Sequence, residues 1–252
     1  GSGLMTCRPF RRPHHSVSDK TLVGGGATPT PGEISLAHGG ILFLDEFAEF
    51  SRSAVESLRQ PLESGEVFVH RVRGDFCFPA RPLVVAAMNP CPCGYYPDRK
   101  RCRCTSGQIQ KYMAKISGPV MERLDLCVYI RRVDYRHMTD ERSGMDSRRM
   151  QEKIERACQI QKERFSGRNI RYNSGMEGKM LEEYCGLDEE TQLFLGKVYE
   201  KFHLSARTYQ KILKVARTIS DLEGSSEIRM EHVAEAVGYR LPDETYGGSL
   251  WG

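Results

Sequence analysis

Two adjacent carboxylates, Asp45 and Glu46, follow directly after four apolar residues in the stretch GGILFLDEF. A run of this kind is typical of a buried strand, and α/β proteins gather their ligands at the carboxyl edge of such strands. At that edge Asp45 would hold a divalent cation, and Glu46 would take a proton from an attacking water. The pair therefore indicates a Walker B site, although LDE also occurs where an ordinary strand ends before a capped helix.

Three further polar side chains could complete such a site. A second buried strand is predicted at LVVAAMN and ends in Asn89, whose amide could orient the same water. Arg123 precedes a third predicted strand, DLCVYI, and Arg207 falls in the first turn of the helix predicted from SARTYQ. Arginine at a helix N-terminus favours a phosphate, because its planar cation adds to the positive end of the helix dipole. Either arginine could instead pair with an acid at the surface.

The elements around these residues indicate an α/β core over residues 4–135. The runs ILFL, VFVH, LVVAAMN and DLCVYI lack clean alternation, which favours strands of a parallel sheet covered on both faces. Between the first two runs, Val55, Leu58 and Leu62 recur at helical spacing, and Gly65 can end that helix. Ser51 or Ser53 can cap its start.

Residues 148–240 predict an all-helical lid domain. Asp188 and Ser205 are the expected caps of two of its helices. An earlier helix carries an apolar stripe made of Met150, Ile154, Ala157, Cys158 and Phe165. The polar stretch DYRHMTDERSGMDS is the candidate linker between the two halves.

Four of the nine cysteines, Cys91, Cys93, Cys102 and Cys104, form two C-x-C pairs in NPCPCGYYPDRKRCRC. Four thiolates this close in sequence can surround one Zn²⁺ tetrahedrally, although C-x-C is an unusual spacing for structural zinc. Free thiols and disulfides are the alternatives. Cationic side chains between the sulfurs would present positive charge to phosphate. The other five cysteines are expected to be buried thiols.

The overall composition sets broad limits. The chain has 252 residues, 39% of them hydrophobic, which is enough for a real core. No apolar run is long enough to span a membrane and the N-terminus lacks a signal-peptide core, so a cytoplasmic protein without membrane partners is expected. The net charge of +4 is modest, but RPFRRPHH and DRKRCRC are local basic clusters. His14 and His15 are expected in a polar loop near a nucleotide or a pore rather than at a metal.

The order of these parts resembles the AAA+ ATPases. Longer strings resemble the magnesium-chelatase-like members of the YifB/ComM type, and they are RPFRRPHHSVSDKTLVGGG, PGEISLAHGGILFLDEF, LRQPLESGEV, MNPCPCG and ISGPVMERLDL. The resemblance implies ATP and Mg²⁺ as cofactors, Asp45 and Glu46 as Walker B and Asn89 as sensor 1. It also implies Arg123 as an arginine finger for a neighbouring subunit and Arg207 as sensor 2, within a homo-oligomeric ring that is hexameric in the full-length form.

The chain departs from the family pattern in one respect. No G-x-x-x-x-G-K-[ST] string, the loop that cradles phosphates, occurs in its 252 residues. The opening GSG resembles a vector remnant, so the loop and its strand are expected upstream of residue 4, and this fragment is expected to hydrolyse ATP poorly or not at all.

Three functions remain open on the sequence alone. The resemblance to ComM favours an ATP-driven motor that remodels or branch-migrates DNA, with helicase activity as one form of that motor. A motor that drives magnesium into a porphyrin shares the same core. A zinc-stapled nucleic-acid-binding module without catalysis belongs to another functional class.

Overall fold

The computed structural model describes residues 7–26, 28–71, 74–130 and 145–240. These residues form two compact units, the first ending at Leu124 and the second beginning at Asp125. The first unit is mixed α/β and the second is helical, as the sequence predicts. The predicted end of the core at residue 135 and most of the predicted linker lie outside the described residues, so the predicted domain bounds stay predictions.

The first unit contains short elements. Its described strands, β1 to β7, are Phe10–Arg11, Gly24–Gly25, Thr30–Pro31, Ile41–Leu44, Glu66–Arg71, Gly74–Pro79 and Leu83–Ala86. Its described α-helices, α1 to α6, are Asp19–Val23, Glu33–Leu36, Arg52–Ser57, Arg59–Ser64, Ser106–Met113 and Gly118–Met121. A 3₁₀ turn, Phe47–Glu49, follows β4.

A three-stranded parallel sheet lies at the centre of this unit. Its strand order is β1-β4-β7, and Leu44 of β4 pairs with Ala86 of β7. Alternate residues of a strand share a face, and Leu42 and Leu44 are fully buried against the core of the unit. The predicted parallel sheet is therefore confirmed, with ILFL and the first four residues of LVVAAMN as two of its strands.

The opposite face of this sheet is not covered by described residues. Phe10, Leu83 and Val85 are 59%, 63% and 39% exposed, and they share a face with Ile41 and Phe43 by register. The prediction of a sheet covered on both faces is therefore wrong for the described part of the chain. An apolar strand shows that both faces favour burial, but it does not show which residues supply the cover.

Two other strand predictions need correction. VFVH is a strand, but β5 pairs with β6 in a separate antiparallel hairpin, so it is not part of the parallel sheet. DLCVYI is not a strand, because residues 125–130 carry no ladder hydrogen bonds and group with the helical unit. The backbone N–H of Cys127 donates instead to the carbonyl of Tyr239, at 2.7 Å.

The predicted helix after β4 is two short helices. Ser51 caps α3, and its side chain accepts from the backbone N–H of Ala54. The helix breaks at Leu58, between α3 and α4. Pro61 has no N–H to bond to the previous turn, which accounts for the break. Gly65 ends α4 with φ +73°, in the left-handed region that favours glycine.

The second unit is built from helices. The described α-helices, α7 to α11, are Ser147–Arg164, Lys179–Tyr184, Glu189–Lys201, Ala206–Glu223 and Met230–Gly238. Asp188 and Ser205 cap α9 and α10, which confirms both predictions. The core of the unit includes Leu195, Ile212 and Val233, which are almost fully buried.

The stripe predicted on α7 is correct for two of its five residues. Ala157 and Phe165 are buried, whereas Met150, Ile154 and Cys158 are exposed. Among the described residues, only the second half of α7 therefore packs against other parts of the protein. No helix in the described part of the chain is both long and apolar enough to cross a membrane.

A buried carboxylate, Asp221, joins α10 to its neighbours. Arg164 donates two hydrogen bonds to it at 2.5 and 2.7 Å, and Asn173 donates a third at 2.8 Å. Arg217 donates a fourth at 3.2 Å, and burial lowers the pKa of this arginine against the opposing effect of Asp221. The Asp221 side chain is completely inaccessible, so its charge is stabilised by these partners rather than by water.

We expect Asp221→Ala to lower the free energy of unfolding of the helical unit by about 3–5 kcal/mol, because it leaves Arg164 and Arg217 without their buried counter-charge. Urea unfolding followed by far-UV circular dichroism measures the change. Glu183→Ala is the matched control, because it removes an exposed partner of Arg168 and should cost less than about 1 kcal/mol. Equal costs for the two variants would contradict the role assigned to Asp221.

Candidate functional site

Asp45 and Glu46 lie in a turn fixed by the neighbouring strand. The backbone N–H of Ala87 donates to the carbonyl of Leu44 at 2.9 Å, and the N–H of Phe47 donates to the carbonyl of Ala87 at 2.8 Å. These two hydrogen bonds bracket the acids at the carboxyl end of β4. The backbone N–H of Glu46 also donates to the Asp45 carboxylate, at 3.0 Å.

Glu46 adopts a conformation that is unusual for its residue type. Its φ and ψ are +51° and +45°, in the left-handed helical region. A residue with a Cβ pays about 1–2 kcal/mol for that conformation. The side chain is 56% exposed, so packing does not explain the strain. Strain of this kind is typical of functional turns, where backbone geometry directs a side chain.

Each acid has a cationic or ionisable partner from the segment after β1. The Arg12 guanidinium donates to Asp45 at 2.6 Å, and Nδ1 of His15 lies 3.0 Å from the Glu46 carboxylate. Both pairs are partly open to solvent, so each contributes little to stability and can exchange with another ligand. The site therefore has carboxylates at its centre and exchangeable partners at its edge.

Asn89 reaches the same edge of the sheet by way of β7. Leu44 is opposite Ala86, and Asn89 follows Ala86 by three residues. Because β4 and β7 are parallel, Asn89 and the two acids follow the same ends of neighbouring strands. Asn89 is exposed, and its amide lies beside Gly94, where an added Cβ would be 3.8 Å from the amide carbon.

The two predicted arginines are in different surroundings. Arg123 has a largely buried side chain that donates to the carbonyl of Pro119 at 2.6 Å and forms an ion pair with Glu63. Both contacts lie within the first unit. Arg207 is exposed at the start of α10, in the second unit. The predicted roles of both arginines stay predictions.

The four predicted cysteine ligands come together in one cluster, which we call the knuckle, residues 91–104. The Cys91 sulfur lies 3.4 Å from that of Cys93 and 3.8 Å from that of Cys102, and the Cys93 and Cys102 sulfurs are 3.6 Å apart. Including Cys104, all four sulfurs lie within 4.8 Å of one another. A disulfide requires about 2.05 Å, so none of these pairs is one.

Backbone donors and neighbouring sulfurs shift the pKa values in the knuckle. A backbone hydrogen bond from Tyr95 lowers the pKa of Cys93 to about 6. For Cys104, a backbone hydrogen bond from Cys93 acts in the same direction, but burial and the neighbouring sulfurs outweigh it and raise the pKa to about 12. The N–H of Tyr96 points at the Cys91 sulfur, at 3.4 Å. Thiolate charge is thus favoured at one end of the cluster.

The remaining cysteines do not follow the prediction of buried thiols. Cys7, Cys77 and Cys158 are exposed, and Cys127 is half-buried. Cys185 alone among the five is buried, and burial raises its pKa to about 11. Apolar neighbours in sequence did not predict which of these cysteines are buried. A single thiol contributes little to packing, so its burial depends on the tertiary contacts of the surrounding residues.

Comparison with known proteins identifies the family. A model of the family described as magnesium chelatase, subunit ChlI, matches residues 1–138, and a model of its C-terminal part matches residues 144–240. The chain belongs to the magnesium chelatase ChlI family. The mixed α/β unit and the helical unit are consistent with a AAA+ fold.

Curated relatives from bacteria support the same assignment. The chain is 46% identical over 235 residues to Competence protein ComM of Haemophilus influenzae, with 92% of this chain and 45% of the relative covered. It is 42% and 40% identical to the uncharacterized protein YifB of Salmonella typhimurium and of Escherichia coli, with 94% of this chain and 46% of each relative covered. The chain thus spans less than half the length of these relatives.

Sequence reasoning missed the residues that pair with the two acids. Arg12 and His15 were assigned only to a basic cluster and to a polar loop. The feature that could have revealed them is Phe10–Arg11, which is too short to recognise as a strand from sequence. In the structure it pairs with β4 and brings the residues that follow it close to the two acids. His15 lies beside Glu46, and its predicted place near a nucleotide or a pore stays a prediction.

The left-handed turn at Glu46 generates a stability prediction. Glu46→Gly and Glu46→Ala both remove the carboxylate, but only glycine relieves the positive φ. We expect the glycine variant to be more stable than the alanine variant by about 1 kcal/mol, measured by urea unfolding of the first unit.

The matched control is Gln110, an exposed residue inside α5. There the order should reverse, with Gln110→Gly about 1 kcal/mol less stable than Gln110→Ala. A glycine penalty of the same sign at both positions would contradict the strained turn.

Proposed function

We propose that this chain is part of a ring-forming ATPase of the AAA+ class that uses ATP to remodel or branch-migrate DNA. One observation supports the ATPase role above all. Two carboxylates are held in a strained turn at the carboxyl end of a central parallel strand, beside the strand that leads to Asn89. This is the edge at which α/β proteins bind nucleotides.

Carboxylate and amide oxygens suit Mg²⁺, which usually takes one or two protein carboxylates together with phosphate and water. Asp45 would hold the ion, which when bound neutralises charge on the phosphates. Arg12 would have to leave Asp45 for this carboxylate to hold the ion, and this is feasible because the Arg12–Asp45 pair is largely solvent-exposed. The released guanidinium can then face a phosphate.

Glu46 is the proposed base. Its exposed carboxylate would accept a proton from the attacking water, and Asn89 would orient that water. His15 would keep the carboxylate in place until water and nucleotide arrive. The left-handed backbone of Glu46 would set the direction of its side chain, because no packed neighbour among the described residues holds this exposed carboxylate in place.

The proposed ring explains the two arginines. Arg123 would act on the nucleotide of a neighbouring subunit, and an arginine supplied in this way can raise a phosphoryl-transfer rate by about 10³–10⁵. Its ion pair with Glu63 would have to open for that role. Arg207 would contact the terminal phosphate from the lid. A hexamer is the proposed full-length assembly.

The family description also favours a second candidate, a motor subunit of magnesium chelatase. The curated relatives with the highest identities given above are ComM and YifB proteins instead, and ComM is a competence protein by name. We therefore place DNA before a porphyrin as the substrate. DNA-stimulated ATP hydrolysis by the full-length protein supports this order, and stimulation by a porphyrin alone reverses it.

In the full-length protein, Glu46→Gln should bind Mg²⁺–ATP but hydrolyse it at least about 100-fold more slowly, because the amide cannot accept the proton. Phosphate release and equilibrium binding of a fluorescent ATP analogue measure the two effects separately. Ordinary turnover by this variant would remove Glu46 from the role of base.

Glu49→Gln is the control, because it removes a nearby exposed carboxylate whose recorded partner is Lys115. Its hydrolysis rate should stay within about twofold of the unmodified protein. An equal loss in both variants would indicate a general effect of charge at this edge.

We also propose that the knuckle binds one Zn²⁺. Zinc–sulfur bonds of about 2.3 Å in a tetrahedron place the sulfurs about 3.8 Å apart. Three of the sulfur–sulfur separations are 3.4, 3.6 and 3.8 Å, so the knuckle needs little movement to fit the ion. Backbone N–H groups aimed at the sulfurs support thiolate ligands.

Protein purified without chelator or acid should contain about one zinc per chain by elemental analysis. Cys102→Ser should lose it, whereas Cys77→Ser, at an exposed cysteine outside the knuckle, should retain it. Less than a tenth of a zinc per chain in the unmodified protein would count against the site.

A further inference from the structure

A local excess of positive charge lies around the knuckle. Residues 91–115 contain six cations, namely Arg99, Lys100, Arg101, Arg103, Lys111 and Lys115, and one carboxylate, Asp98. The net charge of this stretch is therefore +5, which exceeds the +4 of the whole chain. This loop and the helix after it therefore carry a strong local excess of positive charge, which attracts a polyanion.

The cations of the loop itself are available to a ligand. Arg99, Lys100 and Arg103 are exposed, and no ion pair is recorded for them among the described residues. Arg101 approaches Asp98 only at 4.0 Å, and both side chains are half exposed. A polyanion could therefore contact these side chains without first breaking a strong ion pair.

The same loop exposes an aromatic ring. Tyr95 is 50% exposed, and the Arg101 guanidinium lies over its ring at 6.0 Å from the centroid. The neighbouring Tyr96 is buried, with Arg99 over its ring at 5.0 Å. The Tyr96 ring is therefore part of the packed loop, whereas the Tyr95 ring is presented to solvent beside Arg101.

The loop that carries these groups is tied at several points. Cys91 and Cys102 are buried at its base, and α5 begins directly after it with a capping box between Thr105 and Gln108. The Asp98 carboxylate accepts a hydrogen bond from the backbone N–H of Lys100. The Asp98 backbone carbonyl accepts another from the N–H of Cys102. A loop held in this way loses little conformational entropy when a ligand binds.

We propose that this surface, made of Tyr95, Arg99, Lys100, Arg101 and Arg103, binds single-stranded nucleic acid. A base stacks on Tyr95, and the flanking phosphates contact the arginines and the lysine. The proposal deepens the proposed function, on which it rests, by naming the contact through which a DNA motor would hold its substrate. An exposed aromatic ring beside cations is the combination used for unpaired strands, because every base has a stacking face.

Duplex DNA fits this surface less well. The knuckle presents a loop rather than a helix or strand pair that could enter the major groove. In a duplex the base faces are already stacked on each other, so Tyr95 would gain only edge contacts. Single strands are therefore the preferred ligand, and duplexes are the comparison.

The test is binding of a fluorescent 20-nucleotide oligo-dT to the zinc-loaded chain, followed by anisotropy over a series of salt concentrations. No nucleotide triphosphate or Mg²⁺ is present, so failure of the ATPase proposal cannot produce a negative result here. Tyr95→Ala should weaken binding about tenfold, and Tyr95→Phe, which keeps the ring, should restore it. Both variants should keep their zinc, which shows that the knuckle is intact.

A triple variant tests the cations. Arg99, Arg101 and Arg103 changed together to Gln should reduce the slope of log K against log salt by about 2, because each lost phosphate contact removes about 0.7 on a single strand. The matched control changes the exposed Arg148, Arg149 and Arg156 of α7 to Gln. It makes the same change in net charge and should leave the slope within about 0.5 of the unmodified chain.

Three results would overturn the proposal. Binding by Tyr95→Ala equal to that of the unmodified chain would remove the stacking contact. An equal fall in slope for the two triple variants would reduce the effect to net charge. A duplex of the same length bound as tightly as oligo-dT would contradict the preference for single strands.

Discussion

The structure of the candidate site depends on the pairing of β4 with β7. The hydrogen bonds from Ala87 to Leu44 and from Phe47 to Ala87 close the ladder on both sides of the two acids. A slip of one residue in this register would exchange the two faces of β4 and turn Leu42 and Leu44 out of the core. Burial of these two leucines therefore fixes where Asp45 and Glu46 stand.

The sequence predicted what is local and missed what depends on distant pairing. Asp45 follows a strand, as predicted, because the apolar run and the acids after it are contiguous in sequence, whereas its chemical role stays a prediction. Arg12 was missed as its partner because that contact depends on β1, a two-residue strand with no pattern of its own. The predicted strand at residues 125–130 was wrong for a related reason, since apolar composition does not reveal whether a partner strand is present. The sulfur cluster was predictable because its ligands lie within 14 residues of one another.

The chain uses its charges in two different ways. In the helical unit, Asp221 is buried and bonded to several partners, so its charge joins elements that must not separate. At the end of β4, Asp45 and Glu46 are bonded to one partly exposed side chain each. Water screens these pairs, so breaking them costs little free energy. A cation could then take the place of the basic side chain on each acid, and a phosphate could take the place of the acid on each basic side chain. The first arrangement favours a fixed structure and the second favours an exchange of ligands.

A short connection links the acid site to the knuckle. Asn89 is separated from Cys91 only by Pro90, whose ring fixes its φ, and the Asn89 amide also lies beside Gly94 inside the knuckle. On the zinc proposal, four sulfurs held by one metal would allow little relative movement within the knuckle, and Asn89 would be coupled to it through Pro90. On the two proposals above, a movement of Asn89 with the nucleotide would be passed directly to the surface around Tyr95. If both proposals hold, the path between the nucleotide and the single strand would consist of very few residues.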